Sequence, residues 1–290
     1  MYYYDYYLSF HGWEKTASEK SKHSYLLKNL MNANTWLGTL VHKIAEGILL
    51  QIRAGIIASD EQISKKLKKK FDEFILSSKE KRFLTYPRRG GLYEDYYGFG
   101  ITEEQRKAMY LISKKAIKNF IKSDIINDLK FNKETKTLWI EDFLSFDYNK
   151  VPIVVKVDFA CEKNGSYSIY DWKTGISHIN ENNKTNSNCK NNHQLQIYAY
   201  YLAKIIKINP EKIRLFKYFL YPNKIEETKI NSQELSQTEE FMKKSISEMQ
   251  ELLSDKENNI ADQKDFEMTK NIEKCSFCRY KELCYNGTIK

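Results

Sequence analysis

Asp171 and Lys173 are spaced by one residue in the segment Asp171-Trp172-Lys173-Thr174-Gly175. On a β-strand that spacing puts a carboxylate and an ammonium on the same face. A second carboxylate, Asp158, lies in Ile153-Val154-Val155-Lys156-Val157-Asp158-Phe159. Alternation assigns Ile153, Val155, Val157 and Phe159 to one face of that strand and Asp158 to the other. Between the two segments Asn164-Gly165 favours a two-residue type I′ hairpin turn, because both central residues must take positive φ. Counting back from this turn pairs Lys163 with Ser166, Glu162 with Tyr167 and finally Asp158 with Asp171, with Cβ atoms roughly 4.5–5.5 Å apart. Two opposed carboxylates cost energy unless a cation lies between them. Mg2+ or Mn2+ answers this, since both prefer oxygen ligands and leave positions open for a phosphate, which suits phosphodiester hydrolysis. Lys173 would orient or activate the attacking water, or stabilise charge developing on the phosphate. The same register sets Lys156 opposite Lys173, so either the strands diverge there or both lysines reach the anionic site.

Two helical segments flank this hairpin in sequence. In residues 36–49 the apolar positions Leu37, Leu40, Val41, Ile44 and Ile48 form a helical stripe, with His42 on its shoulder. His193-Gln194-Leu195-Gln196-Ile197-Tyr198 opens a second run, in which Gln194 and Tyr198 stand one turn apart on one face. Amphipathic helices are expected near 35–53, 60–77 and 103–129. Strands are expected near 136–147, 151–161, 166–173 and 213–221, with a helix over 193–207 and another over 232–256. The stretch 180–188 is polar, of low complexity, and reads as a loop beside the site.

These residues resemble, in kind and order, the RecB-like branch of the PD-(D/E)XK nucleases, which includes the AddB nuclease domain and the CRISPR-adaptation exonucleases. The resemblance runs from Gly38-x-x-x-His42 through Asp158 and Asp171-x-Lys173-Thr174-Gly175 to Gln194-x-x-x-Tyr198. It implies that His42, Asp158, Asp171 and the Trp172 carbonyl hold the metal, that Lys173 is catalytic, and that Gln194 and Tyr198 support the site or hold the DNA backbone. The expected fold is α/β, a restriction-endonuclease-like core with a central mixed sheet flanked by helices. One integrated domain is expected: a mainly helical region over 1–135 carrying the metal-site histidine, the nuclease core over 136–225, and a C-terminal helix and cysteine segment over 226–290.

Cys275, Cys278 and Cys284 stand close together near the C-terminus, and in a chain lacking a secretion signal such a cluster favours a metal or a cluster over disulfides. In the resembled family three such cysteines join a fourth, N-terminal one around a [4Fe–4S] cluster that clasps the ends of the domain. That fourth cysteine would precede an aromatic stretch such as Tyr2-Tyr3-Tyr4-Asp5-Tyr6-Tyr7, and here the stretch follows Met1 directly. Four arrangements compete: a start placed too far downstream, a cluster completed by Cys189, a three-cysteine site with another ligand such as one for Zn2+, or loss of the cluster. The first is favoured, because the tyrosine-rich opening looks like the interior of a motif, and a longer native chain is expected to bind iron and sulfur.

The chain has 290 residues, is 41% hydrophobic and carries a net charge of +9, enough to bury a core and suited to a polyanionic partner. No run of about 18 apolar residues is present, so no transmembrane helix is expected. The first residues lack the order of a signal peptide, which points to the cytoplasm. Lysines 65, 66, 68, 69 and 70 are followed by Arg88 and Arg89, and then by Tyr93, Tyr96, Tyr97 and Phe99. Cations interleaved with rings are what a single-strand path uses; packing of the rings inside a helical region is the alternative. The expected function is metal-dependent DNA cleavage, as an exonuclease on single-stranded DNA or duplex ends. Without a P-loop in this chain, any helicase partner is a separate protein. Two readings from other classes are a catalytically silent DNA-binding module, against which intact Asp158, Asp171 and Lys173 argue, and a zinc-binding structural protein, which leaves His42 and the hairpin carboxylates unexplained.

Overall fold

The structure, a computed structural model, describes residues 1–175 and 193–284. In chain order the elements are α1 (Glu19–Lys28), β1 (Leu30–Met31), α2 (Ala33–Arg53), α3 (Asp60–Lys79), β2 (Gly91–Leu92), α4 (Tyr93–Tyr96), α5 (Glu103–Ile121), α6 (Asp124–Phe131), β3 (Thr135–Tyr148), β4 (Val151–Lys163), β5 (Ser166–Lys173), α7 (His193–Tyr200), β6 (Ile213–Phe219), β7 (Lys224–Lys229), α8 (Ser232–Glu251), α9 (Ile272–Ser276) and α10 (Lys281–Cys284). They fall into two compact units. The first comprises Met1–Trp36, Asp72–Glu103 and Ser245–Lys290, the second Leu37–Phe71 and Glu104–Lys244.

The second unit is built on a five-stranded sheet in the order β3-β4-β5-β6-β7. Neighbouring strands are antiparallel except β5 and β6, which run parallel from Tyr167↔Ile213 to Lys173↔Phe219. A parallel pair needs a crossover, and α7 with the turn Tyr201–Ile205 lies in it. The fold is therefore α/β with a mixed sheet flanked by helices, as expected for a restriction-endonuclease-like core. On one side of the sheet Leu144, Val155, Val157, Ala160 and Ile169 pack with Leu195, Tyr198 and Leu202, and with Leu235 and Met242 of α8. On the other, the rings of Phe159, Tyr170, Phe216 and Tyr218 gather around Trp172, whose edge meets Phe120 of α5 at 5.2 Å.

The β4–β5 hairpin forms with the counted register, Lys163 opposite Ser166 and Phe159 opposite Tyr170, and Asn164 and Gly165 take φ of 51° and 75°. Pairing ends there, so Lys156 and Lys173 are not laddered and the strands diverge. The expected alternation along β4 is corrected. Val155 and Val157 join the core on the α7 side, but Phe159 stacks against Trp172 on the opposite side, centroids 6.0 Å apart. The switch coincides with an interruption in the β3–β4 ladder, where Glu141 sits at φ 52° between the pairs Ile140↔Phe159 and Asp142↔Val157.

Differences from the expected elements have local causes. The run expected over 103–129 is two helices, because Ser123 takes an extended ψ of 153° and starts α6 as its N-cap residue. Strand β7, Lys-Ile-Glu-Glu-Thr-Lys, was not foreseen, since a solvated edge strand carries no apolar alternation.

In the first unit the segment at Tyr4–Asp5 meets the segment at Arg279–Tyr280. Tyr4 stacks on Tyr280 at 5.3 Å, and the Asp5 carboxylate accepts from Arg279 at 2.6 Å and from the Tyr280 hydroxyl. Arg279 also donates to the Lys28 carbonyl at 2.8 Å. The aromatic opening is thereby packed against the cysteine-bearing segment.

Candidate active site

Each side chain at the end of the sheet is placed by an element already described. The stripe of α2 is buried at Leu37, Val41 and Ile44, which turns His42, on its flank, toward β3, β4 and β5. Its Nε2 donates to the Trp172 carbonyl at 3.0 Å. Its Nδ1 lies 3.1 Å from Glu141 Oε1 and 3.5 Å from Asp158 Oδ1. With acceptors at both nitrogens the ring is held as an imidazolium. Burial opposes that charge, but hydrogen bonds to Asp158 and Glu141 and their negative charges outweigh it and raise the pKa to about 10.

Asp158 Oδ2 accepts the Trp172 backbone N–H at 2.8 Å, supplying an acceptor where the β4–β5 ladder ends. Asp171 is next in register after the last backbone pair and is 1% exposed. Its Oδ1 accepts from Lys173 Nζ at 2.9 Å, while its Oδ2 is buried with no hydrogen-bond partner. Burial raises the Asp171 pKa, Lys173 opposes this, and the Asp158 charge adds to the rise. An unpartnered buried carboxylate oxygen facing like charge is the condition that a cation relieves.

The ligand atoms of His42, Glu141 and Asp158 all lie within 4.8 Å of one another. Glu141 was not among the expected site residues. Lys156 Nζ donates to its other oxygen. Burial would raise the Glu141 pKa, but its hydrogen bonds to His42 and Lys156 prevail and lower it. A signal existed: counting back from the tight turn at Asn149-Lys150, where Tyr148 faces Val151, sets Glu141 opposite Asp158. Gln194 donates to the Tyr198 hydroxyl, which donates to the Lys156 carbonyl, so this pair reaches the strand carrying Asp158.

A sequence model of the PD-(D/E)XK nuclease superfamily matches residues 22–285. The chain belongs to the PD-(D/E)XK nuclease superfamily. Among curated proteins none matches it. A solved structure described as "Crystal structure of SSO0001" is similar over 67% of this chain and 79% of its own, with 16% identity and a TM-score of 0.30.

Members of the PD-(D/E)XK superfamily generally use divalent metals on nucleic acids, and this PD-(D/E)XK chain has a candidate acidic metal site. None of its described helices is long and apolar enough to cross a membrane. The other expected site residues lie in the first unit. Arg88 and Arg89 end the turn Pro87–Arg89, their guanidinium carbons 5.5 Å from the Trp13 ring and 4.8 Å from the Tyr86 ring. Cys275, Cys278 and Cys284 border a cavity of about 770 Å³ together with Tyr3, Tyr4 and Phe266. Cys189, the alternative fourth ligand, lies outside the described residues.

Proposed function

We propose that this protein is a Mg2+- or Mn2+-dependent deoxyribonuclease of the RecB-like branch, acting as an exonuclease on single-stranded DNA or duplex ends in repair, recombination or defence. The observation that carries this reading is the convergence of His42, Glu141 and Asp158 beside a buried Asp171 with an unpartnered oxygen. Carboxylate and carbonyl oxygens with one imidazole form a hard donor set that fits such an ion. His42, Asp158, Asp171 and the Trp172 carbonyl would hold it, and Glu141 supplies a further carboxylate. When bound, the ion supplies Lewis-acid polarisation of a phosphate oxygen and lowers the pKa of nearby water.

The protein's own groups then have distinct tasks. Lys173, tethered at Asp171 and 42% exposed, presents its remaining N–H bonds to the attacking water or to a phosphate oxygen. Hydrolysis forms one P–O bond from water and breaks the P–O bond to a sugar oxygen, which leaves with a proton. Glu141 holds Lys156 and His42 together. Tyr198 is 1% exposed, which supports a positioning role through the Lys156 carbonyl rather than contact with the DNA backbone. Arg88 and Arg89 belong to DNA binding. A cytoplasmic location and a separate helicase partner complete the proposal.

The three cysteines would take iron and sulfur, or Zn2+, with a further ligand. Three thiols are one short of a four-cysteine set. Iron, sulfide and zinc content of anaerobically purified protein, compared with Cys278→Ser, tests this; equal contents in both would end it.

The nuclease reading is tested by incubating labelled single- and double-stranded DNA with the protein and Mg2+ or Mn2+, beside Asp171→Ala and Lys173→Ala. Metal-dependent cleavage lost in both variants is expected. Cleavage in EDTA, or variants as active as the parent, would overturn it.

A further inference from the structure

A cleft of about 950 Å³ in the first unit carries unmet chemistry that the proposed cleavage site does not use. Trp13, Lys15, Tyr25, Tyr86 and Arg88 are among the residues that line it. Trp13 and Tyr86 are each 56% exposed, and two large rings open to water in one cleft are a binding feature rather than scattered surface. Each ring carries an arginine: Arg88 lies 5.5 Å from Trp13 and Arg89 4.8 Å from Tyr86. Arg88 is oriented by its Nε bond to the Tyr25 hydroxyl at 3.1 Å. Among the described residues neither arginine is ion-paired, whereas of the acidic lining Glu19 is paired with Lys22 at 2.9 Å and Glu14 Oε1 lies 2.7 Å from His11 Nδ1. The cleft is lined by Lys15, Lys22 and Arg88 against Glu14 and Glu19, which leaves an excess of positive charge beside exposed aromatic faces.

Unpaired nucleotides meet both needs at once, because their bases stack on rings and their phosphates take guanidinium and ammonium groups. A duplex hides its base faces, and an acidic peptide would leave the rings unused. We propose that this cleft binds single-stranded DNA, with bases stacked on Trp13 and Tyr86 and phosphates held by Arg88, Arg89 and Lys15. The choice of DNA as the polyanion rests on the nuclease reading.

The test uses the full chain in EDTA, where cleavage is suppressed, with fluorescein-labelled oligo(dT) read by anisotropy. Trp13→Ala and Tyr86→Ala should each weaken binding by about 5- to 150-fold, the range of one base–aromatic stack. Trp13→Phe should keep the affinity but lose the change in tryptophan fluorescence on binding, which separates a stacking role from misfolding. Arg88→Ala should reduce the slope of log K against log salt by about 0.7. Blunt duplex binding should be the same for Trp13→Ala and parent. Alanine variants that bind oligo(dT) as tightly as the parent would overturn the cleft while leaving metal-dependent cleavage standing. A parent that binds oligo(dT) through Trp13 yet cuts nothing with Mg2+ would overturn the nuclease reading alone.

Discussion

Asp171 concentrates the site's electrostatic tension in one side chain, since burial and Asp158 favour its neutral form while Lys173 favours the anion. Asp171→Asn removes a charge that the fold does not want and that the proposed reaction needs. The metal-free variant should melt no lower than the parent, while cleavage falls by on the order of 10²–10³-fold. Thermal denaturation in EDTA and a cleavage assay measure the two, and a variant that lost stability but kept activity would contradict the assignment. His42 carries the opposite sign. Its pKa rises on folding from 6.5 to about 10, so its stabilisation is fully present below pH 6.5 and is lost as pH climbs toward 10. In EDTA the parent should therefore lose melting temperature across that window relative to His42→Gln. Mn2+ should stabilise the parent increasingly over the same range, because ligation requires the neutral ring. Parallel curves for parent and variant would refute this. The turn and register of the β4–β5 hairpin were legible because Asn164-Gly165 announces its turn. Glu141 was harder to read, because the Asn149-Lys150 turn that sets its register has a lysine at φ 65° where a glycine would make the turn conspicuous.

At the scale of elements the helices were legible wherever apolar residues recur with the helical period, as along α2 and α3. The divided helix at Ser123 and the charged strand β7 were not, since a cap is a single residue and an exposed edge has no buried face to show. The end of β5 is fixed by Gly175, whose φ is 79° and where an added Cβ would lie 2.8 Å from the Pro222 ring. The carbonyls of Lys173 and Thr174 accept from Leu220 and Tyr221 at 2.7 and 3.0 Å, so any shift at Gly175 moves the strand holding Asp171 and Lys173. Gly175→Ala meets both the left-handed backbone and the proline ring, and should cost about 1–3 kcal/mol with cleavage falling further than the loss of folded protein explains. Denaturant titration beside specific activity at a permissive temperature tests this. Equal stability in the two proteins would show that the loop yields without strain.

For the whole molecule, the cysteine segment led the resemblance to imply a clasp between the aromatic opening and the cysteine-bearing segment, but not the side chains that bond the two, because no local pattern singles out a residue pair so far apart in sequence. Asp5 supplies that bond. Its side chain is 12% exposed and faces an Arg279 that is 28% exposed, while Tyr280 shares the same oxygen. Removing the carboxylate leaves a half-buried guanidinium and a buried hydroxyl without their acceptor, which is more damaging than losing an exposed pair. Asp5→Ala should cost on the order of 2 kcal/mol. The loss belongs to the first unit, so amide exchange should speed up at 4–8, in α1 and at 280–284. Asp5→Asn, which keeps an acceptor for Tyr280, should fall between variant and parent. Unchanged exchange in Asp5→Ala would mean that the stacking of Tyr4 on Tyr280 joins the two segments without the ion pair.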